Sequence, residues 1–479
     1  MDKNHGKMRR IIAFAASLVL SAGLLTAAQP DKVVRKIIEL GTTDNRTMVH
    51  EDFLANRIGG RIVGSHELED AEKWVADQMR SWGLEVRVQE VGQIQVGFSR
   101  GPWYGRNLTD GGTPLHFGTP AYTAGTKGPT RGHVVIAPKT EQQFERMKGT
   151  AKGAWVLLDS PSRGLALSFR DSTMISRLID AGALGFIQGG ELPLQILYDR
   201  AHCFDLTMDT LPTVCDIKLE KAQFDDLYRR VQARERVELE FDIRNHFFEG
   251  PVKYHNILGI LRGSKYPDEY VISGGHLDAY DGGTGAIDDG QGTCVTLESA
   301  RLLMAAGARP KRSIIFSIWT AEEYGLLGSK YFVENKTVPL EKISNYFNRD
   351  GGPEVAVSVT VPPAMYDDFA EICAPLADVN PDFPFEVIRR TAKPGPRPTS
   401  AGGSDHAYFA MNGVPTVSLG LRDVKGYGFN YRDIWHTDRD LYDQCIPEYM
   451  EHSALVNAVV LYGVANLDHL LSREGLYSD

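Results

Sequence analysis

The sequence predicts an α/β protein built on a doubly wound, mainly parallel sheet with helices on both faces. One observation is the repeated order of strand, loop and helix from His255 onward, which is typical of parallel sheets. Another is that the apolar run Tyr270–Ser273 empties into a loop dense in imidazole and carboxylate, where α/β proteins usually bind ligands. The third is the length of 479 residues, which favours two to three domains.

The elements of the main domain follow from apolar runs and from helical spacing. Between His255 and the end of the chain, we expect strands at Tyr270–Ser273, Ser313–Trp319, Ile343–Asn348, Val355–Val361 and Pro415–Leu419, and helices at Gly290–Ala306 and Pro447–Leu471. Upstream, the pattern predicts a helix over His66–Trp82 and a strand over Leu84–Val91. The last helix is expected to be amphipathic and to pack on the sheet through Leu455, Val459, Leu461 and Val464.

Residues 130–247 have their own pattern and are predicted to form a small inserted domain. Short buried-type strands such as GHVVIA and GAWVLLD alternate with a helix, and the segment carries no cluster of His, Asp or Glu. The helix followed by AGALGFI resembles the protease-associated domain found within several exopeptidases. The alternative is a further layer of the main domain, which would otherwise comprise residues 29–129 and 248–479.

Residues 1–28 are predicted to be a signal peptide. Lys7, Arg9 and Arg10 precede an apolar stretch from Ile11 to Leu25, and small residues follow it. The stretch is shorter than the about 20 residues of a comfortable membrane span, and a retained amino-terminal anchor is the alternative. We therefore expect a secreted or periplasmic protein with no membrane contact beyond this segment.

Charge and cysteine content exclude some classes of function. A net charge of −10 without a basic face argues against nucleic acid as a partner. None of the five cysteines lies in a motif with a partner base, so a catalytic cysteine is not expected. Export would allow Cys203 and Cys215 to form a disulfide, which the sequence alone leaves open.

Potential metal ligands follow several of the predicted strands and also appear near the carboxyl end. They are His276, Asp278, Asp281, Asp288 and Asp289, then Glu322 and Glu323, then Asp350, and finally His436. Zinc takes imidazole nitrogen and carboxylate oxygen, and a pair of zinc ions bridged by one carboxylate requires five ligands and a further carboxylate for proton transfer. His276, Asp288, Glu323, Asp350 and His436 meet the first requirement, and Glu322 meets the second.

These motifs together resemble those of the co-catalytic zinc aminopeptidases. GGHLDAYDGGTGAIDDGQG, WTAEEYGLLGS, NRDGG and WHTDRD occur in the family's order, and the GAIDDG and WHTD segments look closest to its carboxypeptidase Q branch. The resemblance covers roughly residues 35 to 470. It implies the zinc exopeptidase fold, which is similar to that of phosphorylases and related hydrolases.

The resemblance also implies a role for each ligand. His276 and Asp350 would hold one zinc ion, Glu323 and His436 the other, and Asp288 would bridge them. Glu322 would be the general base, and Asp278 would orient His276 through its second ring nitrogen. The peptide bond between Asp288 and Asp289 would be cis.

The loop Gly402–Tyr408, GGSDHAYF, is expected to bind substrate through Ser404, Asp405, His406 and Tyr408. His406 or Tyr408 could donate a hydrogen bond to a developing oxyanion. The alternative is a tight turn with a capping Ser or Asp. His406 also competes with His436 for the last ligand position.

The sequence therefore predicts a secreted exopeptidase that hydrolyses short peptides or dipeptides through a bridging hydroxide held by two zinc ions. Aminopeptidase or dipeptidase activity is expected ahead of carboxypeptidase activity, and relatives suggest a homodimer. Two alternatives use the same fold: a catalytically inactive receptor-like or binding protein, and a single-zinc glutaminyl cyclase-like enzyme. The complete ligand set argues against both.

Overall fold

The computed structural model describes residues 31–160, 162, 166–167, 173–197 and 200–478. The predicted signal peptide, residues 1–28, lies outside the described residues. Among the residues that are described, no helix is long and apolar enough to span a membrane.

The described residues form helices along most of the chain. They are α1 (Lys32–Thr43), α2 (Thr47–Glu51), α3 (His66–Ser81), α4 (Glu141–Ala151), α5 (Thr173–Asp180), α6 (Arg200–Asp205), α7 (Lys221–Gln232), α8 (Gln291–Ala305), α9 (Leu327–Glu334), α10 (Tyr366–Cys373), α11 (His406–Met411) and α12 (Pro447–Asn466).

The strands of the described residues fall into three sheets. They are β1 (Glu85–Ser99), β2 (Trp103–Asn107), β3 (Thr113–Pro114), β4 (Phe117–Gly118), β5 (Thr130–Ile136), β6 (Ala154–Leu157), β7 (Gly185–Gly190), β8 (Cys215–Glu220), β9 (Glu238–Ile243), β10 (His246–Leu261), β11 (Tyr266–His276), β12 (Arg312–Trp319), β13 (Ile343–Asn348), β14 (Val355–Val361), β15 (Glu386–Arg389) and β16 (Leu419–Arg422).

The main sheet has the order β1-β10-β12-β11-β13 and is mixed. The strands β12, β11 and β13 run parallel, whereas β10 is antiparallel to both β1 and β12. The α/β class is thus confirmed, but the prediction of a mainly parallel sheet is wrong. The physical reason lies in the connection between β1 and β10. Strand β1 precedes residues 103–243 and β10 follows them, so no helical crossover joins the two strands, and they pair antiparallel.

Helices cover both faces of this sheet. Val271, Ile314 and Phe316 belong to a core shared with α3, α8 and α12. Ile272 and Ile315 point to the opposite face, into a core shared with α9 and α11. This alternation follows from the two-residue period of strands. The prediction that α12 is amphipathic is wrong, because α1, α8, α10 and β14 pack around it and its side chains from 453 to 462 are all buried.

Local signals explain why α3 begins where the sequence predicts it. The Ser65 hydroxyl oxygen accepts a hydrogen bond from the N–H of Leu68 at 3.1 Å, and Glu67 and Glu69 lie in the first turn. Both features stabilise a helix amino terminus. Gly83 follows the helix with φ +91°, a conformation that glycine adopts without strain.

The second sheet has the order β3-β2-β9-β5-β6-β7-β8-β4 and lies between β1 and β10 in the chain. Its central strands β5, β6, β7 and β8 are parallel. Three of its strands, β2, β3 and β4, precede residue 130. We refer to residues 103–243 as the second domain. Cys203 and Cys215 are both buried and are not joined by a disulfide bond.

A small third sheet, β15-β14-β16, flanks the main sheet. The strand predicted at Pro415–Leu419 is wrong, because the strand here is β16 and residues 415–418 form an irregular segment. This segment is fixed by the side chain of Asn345, which donates to the carbonyl of Val417 and accepts from its N–H, both at 2.9 Å. Together with the hydrogen bond from the N–H of Tyr346 to the carbonyl of Pro415, at 2.9 Å, this side chain takes the place of a regular ladder.

Candidate metal centre

The candidate metal centre lies where three neighbouring parallel strands end. His276 is the last residue of β11, Glu322 and Glu323 follow β12, and Asp350 follows β13. Because the carboxyl ends of parallel strands meet at one edge of a sheet, these residues converge. His436 reaches the same place from the loop before α12.

Asp288 lies between the two imidazoles. Nε2 of His276 is 3.4 Å from Oδ1 of Asp288, and Nε2 of His436 is 3.3 Å from Oδ2. Each carboxylate oxygen therefore faces a different imidazole. Although burial opposes the effect, His276 and His436 hold the pKa of Asp288 below its usual value.

The remaining two carboxylates each lie beside one imidazole. Nε2 of His436 is 3.0 Å from Oε1 of Glu323, and Nε2 of His276 is 4.0 Å from Oδ2 of Asp350. His276 and Asp350 thus form one group, and His436 and Glu323 form another. The structure brings together the five residues that the sequence predicts as ligands.

Asp289 also approaches the first group, since its carboxylate, with His276 and Asp350, offers ligand atoms within 4.8 Å of one another. Its oxygens, however, accept hydrogen bonds from the N–H of His276 at 3.0 Å and from Gln291 Nε2 and the N–H of Gly292, both at 3.1 Å. We therefore infer that Asp289 stabilises the loop between β11 and α8 and is not a metal ligand. The peptide bond between Asp288 and Asp289 is cis, as predicted.

Asp278 touches His276 through its main chain. Nδ1 of His276 lies 2.8 Å from the carbonyl oxygen of Asp278, whereas the Asp278 carboxylate is 3.9 Å away. That carboxylate instead accepts hydrogen bonds from the N–H groups of Glu322 and Glu323, at 3.0 and 3.1 Å. Asp278 thus orients His276 through its main-chain carbonyl, and its carboxylate holds the loop after β12 that carries Glu322 and Glu323.

Glu322 lies at the wall of the central cavity, beside the two groups. The cavity has a volume of about 650 Å³ and is lined by both imidazoles, Asp288, Asp350 and Glu322, among others. Burial raises the pKa of Glu322 to about 10, against the opposing effect of His276. Because Glu322 lines the cavity, its carboxyl group is accessible from it.

The donor set fits zinc. Imidazole nitrogens and carboxylate oxygens are ligands that zinc takes in proteins. Burial raises the pKa values of Glu323 and Asp350, because several carboxylates are withdrawn from water in one place. Buried carboxylates require a compensating positive charge. A cation bound in each group would supply that charge.

The residues of the loop predicted to bind substrate lie in different environments. Tyr408 lines the central cavity, whereas His406 lines a neighbouring cavity of about 500 Å³. Ser404 accepts a hydrogen bond from Asn348 at 2.9 Å and also hydrogen-bonds Asp350. Asp405 is fully buried, and burial raises its pKa to about 7. Direct contact between its side chain and substrate stays a prediction.

Two residues at the site carry no role in the sequence-based prediction. Asp440 accepts hydrogen bonds from the N–H groups of Ile287 and Asp288, at 2.7 and 3.2 Å, and so fixes the loop that presents Asp288. Tyr431 lines the central cavity, and burial together with the carboxylates of Asp288 and Asp350 raises its pKa. Asp440 lies within WHTDRD, whereas nothing in the sequence distinguishes Tyr431 from other loop tyrosines.

Paired groups of imidazole and carboxylate at the edge of an α/β sheet, beside an open cavity, define the class of metal-dependent hydrolases. Residues 256–461 match the model of peptidase family M28. The predicted resemblance to zinc exopeptidases is therefore confirmed, and the matched part of the chain contains all five predicted ligands.

Individual proteins are similar to this chain along most of its length. Carboxypeptidase Q of Rattus norvegicus is 25% identical over 468 residues, which cover 93% of this chain and 91% of that protein. The peptidase M28 precursor from Shewanella amazonensis SB2B superposes with a TM-score of 0.60 at 20% identity, covering 92% of this chain and 98% of that one. The zinc aminopeptidase BSAP from Bacillus subtilis gives 0.54 at 19% identity, covering 90% and 97%. Both of these solved structures share the fold of this chain.

Proposed function

We propose that the protein is an exopeptidase that holds two zinc ions and hydrolyses dipeptides or other short peptides. The observation that supports two ions is the position of Asp288, whose two oxygens face the imidazoles of His276 and His436 at 3.4 and 3.3 Å. One group would comprise His276 and Asp350, the other Glu323 and His436, and Asp288 would be common to both.

Zinc ions bound there would acidify a shared water and polarise the peptide carbonyl. Glu322 takes a proton from the attacking water and returns it to the leaving amine. A cation beside Glu322 would lower the pKa of this carboxyl from the value that burial imposes, which suits a group that gains and loses a proton near neutral pH.

The proposed zinc ions favour a substrate with a free amino group. Asp288, Glu322, Glu323 and Asp350 line the cavity, but two zinc ions would offset their negative charge, so the preference would come from an open coordination position that takes an amine nitrogen. We therefore place aminopeptidase or dipeptidase activity ahead of carboxypeptidase activity. Tyr431 and Tyr408 line the cavity, and one of their hydroxyls would donate a hydrogen bond to the oxygen of the cleaved carbonyl.

The site is tested by metal analysis combined with a substrate panel. The purified protein is expected to bind two zinc ions and to cleave dipeptides and aminoacyl substrates, with activity lost in chelator and restored by zinc. Fewer than one ion per chain would instead support the receptor-like protein. One ion with release of ammonia from amino-terminal glutamine would support the cyclase.

Export and assembly are further parts of the proposal. The positively charged and apolar start of the chain supports a secreted or periplasmic protein, and the assembly we propose is a homodimer. Cell fractionation and light scattering of the purified protein test these two points.

A further inference from the structure

A segment of the second domain, residues 194–196, lies directly against the loop that carries His436. The N–H of Ile196 donates to the carbonyl oxygen of His436 at 3.0 Å, and the N–H of Asp438 donates to the carbonyl oxygen of Leu194 at 3.0 Å. Gln195 and Thr437 form the antiparallel bridge between them. The loop of a predicted ligand is therefore paired, through its main chain, with a different domain.

The carboxylate of Asp438 is engaged entirely by the second domain within the described residues. Its Oδ1 accepts a hydrogen bond from the N–H of Leu194 at 2.9 Å, and its Oδ2 lies 2.7 Å from Nε2 of His116. His116 lies between β3 and β4, and Leu194 follows β7. A single side chain thus connects two distant parts of the second domain to a position two residues after His436.

The same segment also reaches the loop that follows His276. Ile196 is buried, and a Cβ at Gly282 would lie 2.9 Å from the Cβ of Ile196, so a side chain there would collide with it. Next to Gly282, the carboxylate of Asp281 lies 2.9 Å from a nitrogen of Arg100, three residues before the second domain begins. Both loops that present ligands are therefore in contact with this part of the molecule.

His436 itself needs external support. Its φ is +57°, in the left-handed region that residues with a side chain adopt only when their surroundings hold them there. The ring packs between Tyr280 and Trp435, with centroid distances of 4.1 Å to each. Its carbonyl is held by Ile196. Without the second domain, the ring stacking would remain, but the main-chain restraint and the Asp438 contacts would be lost.

We propose that His116 and Asp438 are positioning residues that couple the second domain to the metal group of Asp288, Glu323 and His436. This inference rests on the proposed zinc site. The contact restrains the main chain that carries the His436 imidazole, so its loss weakens the ion in that group more than the ion held by His276 and Asp350. The second domain then contributes to metal affinity as well as to the shape of the protein.

The test compares His116→Ala, Asp438→Ala and the double variant with wild type. His133→Ala is the matched control, because His133 hydrogen-bonds Thr150 within the second domain, away from the centre. Zinc is removed stepwise by a chelator, and bound metal is counted. Loss of a group that orients a ligand typically costs 10–100-fold in metal affinity. We expect a loss of about that size for one of two ions in His116→Ala and Asp438→Ala, with the double variant no worse than Asp438→Ala.

Hydrogen exchange of residues 434–440 in the metal-free protein tests the contact without reference to zinc. Exchange should be faster in His116→Ala than in wild type or His133→Ala. Unchanged protection, or equal weakening of both ions, would overturn the inference. A wild-type protein that binds fewer than two ions would contradict the proposed function instead, and the exchange result would still decide whether the coupling exists.

Discussion

Nδ1 of His276 lies 2.8 Å from the carbonyl oxygen of Asp278, closer than the carboxylate of the same residue at 3.9 Å. The carbonyl accepts the Nδ1 proton and leaves Nε2 free to bind a cation. The tautomer of His276 is therefore set by the main chain. The carboxylate of Asp278 is left for the N–H groups of Glu322 and Glu323.

Replacement of Asp278 by Asn should consequently disturb catalysis more than metal binding by His276. The Asn oxygen can accept only one of the two hydrogen bonds, and its amide would face the other N–H donor. We expect kcat to fall about 10–100-fold, while the ion beside His276 is retained. Steady-state kinetics and zinc content measure this. The exposed Asp268→Asn on β11 is the control, and loss of the His276 ion in Asp278→Asn would contradict the assignment.

Glu322→Gln should separate proton transfer from metal binding. The amide keeps the size of the side chain but cannot act as a base, and Glu322 is not among the five residues assigned to zinc. General-base catalysis typically contributes 10²–10⁴-fold, so kcat should fall at least about 100-fold with zinc content unchanged. Glu323→Gln provides the contrast, because it should lose an ion. More than about a tenth of wild-type activity in Glu322→Gln would refute the role.

Tyr431→Phe tests the residue that the sequence does not distinguish. If its hydroxyl donates to the oxygen of the cleaved carbonyl, kcat should fall about 10²–10³-fold with little change in KM, because the interaction strengthens in the transition state. Tyr427→Phe is the matched control, since Tyr427 lies in the same loop and is 56% exposed. A proportional rise in KM without loss of kcat would assign Tyr431 to ground-state binding.

Three of the residues that converge at the candidate metal centre can be predicted from the sequence, because each is tied to a local pattern. His276, Glu323 and Asp350 follow apolar runs of strand length, and parallel strands bring such ends together without further information. All three strand ends carry imidazole or carboxylate side chains, and this coincidence makes the prediction of a zinc site specific. Helix α3 was predictable for a similar reason, since its cap and its apolar spacing are local.

Features that depend on distant contacts could not be predicted in this way. The hydrogen bond from the N–H of Asp288 to Asp440 spans 152 positions, and no local signal announces it. The burial of Asp405 depends on what packs over α11, while SDH in a glycine-rich loop also fits an exposed site. Strand direction between β1 and β10 is set by the intervening second domain, which the alternation of strands and helices does not reveal.

His452 should make the stability of the protein sensitive to acid. It lies in α12 beside Phe383, at a ring distance of 5.1 Å, and burial lowers its pKa from 6.5 to about 4. Between these values the unfolded chain binds a proton that the folded chain does not, so stability falls as pH drops below 6.5 and the loss is complete below about 4. At pH 5 the loss is roughly 2 kcal/mol, because one pKa unit corresponds to about 1.4 kcal/mol.

His452→Leu removes this group and should flatten that part of the pH profile. Urea unfolding of the metal-free protein at pH 8 and at pH 5 gives the free energy of unfolding at each pH. The difference between the two should be smaller in the variant than in wild type by roughly 2 kcal/mol. Because a change in packing acts equally at both pH values, it cancels when the two differences in unfolding free energy are compared. His133→Leu controls for the loss of a histidine outside the core. An equal difference in unfolding free energy between pH 8 and pH 5 for wild type and His452→Leu would show that His452 is protonated in the folded protein.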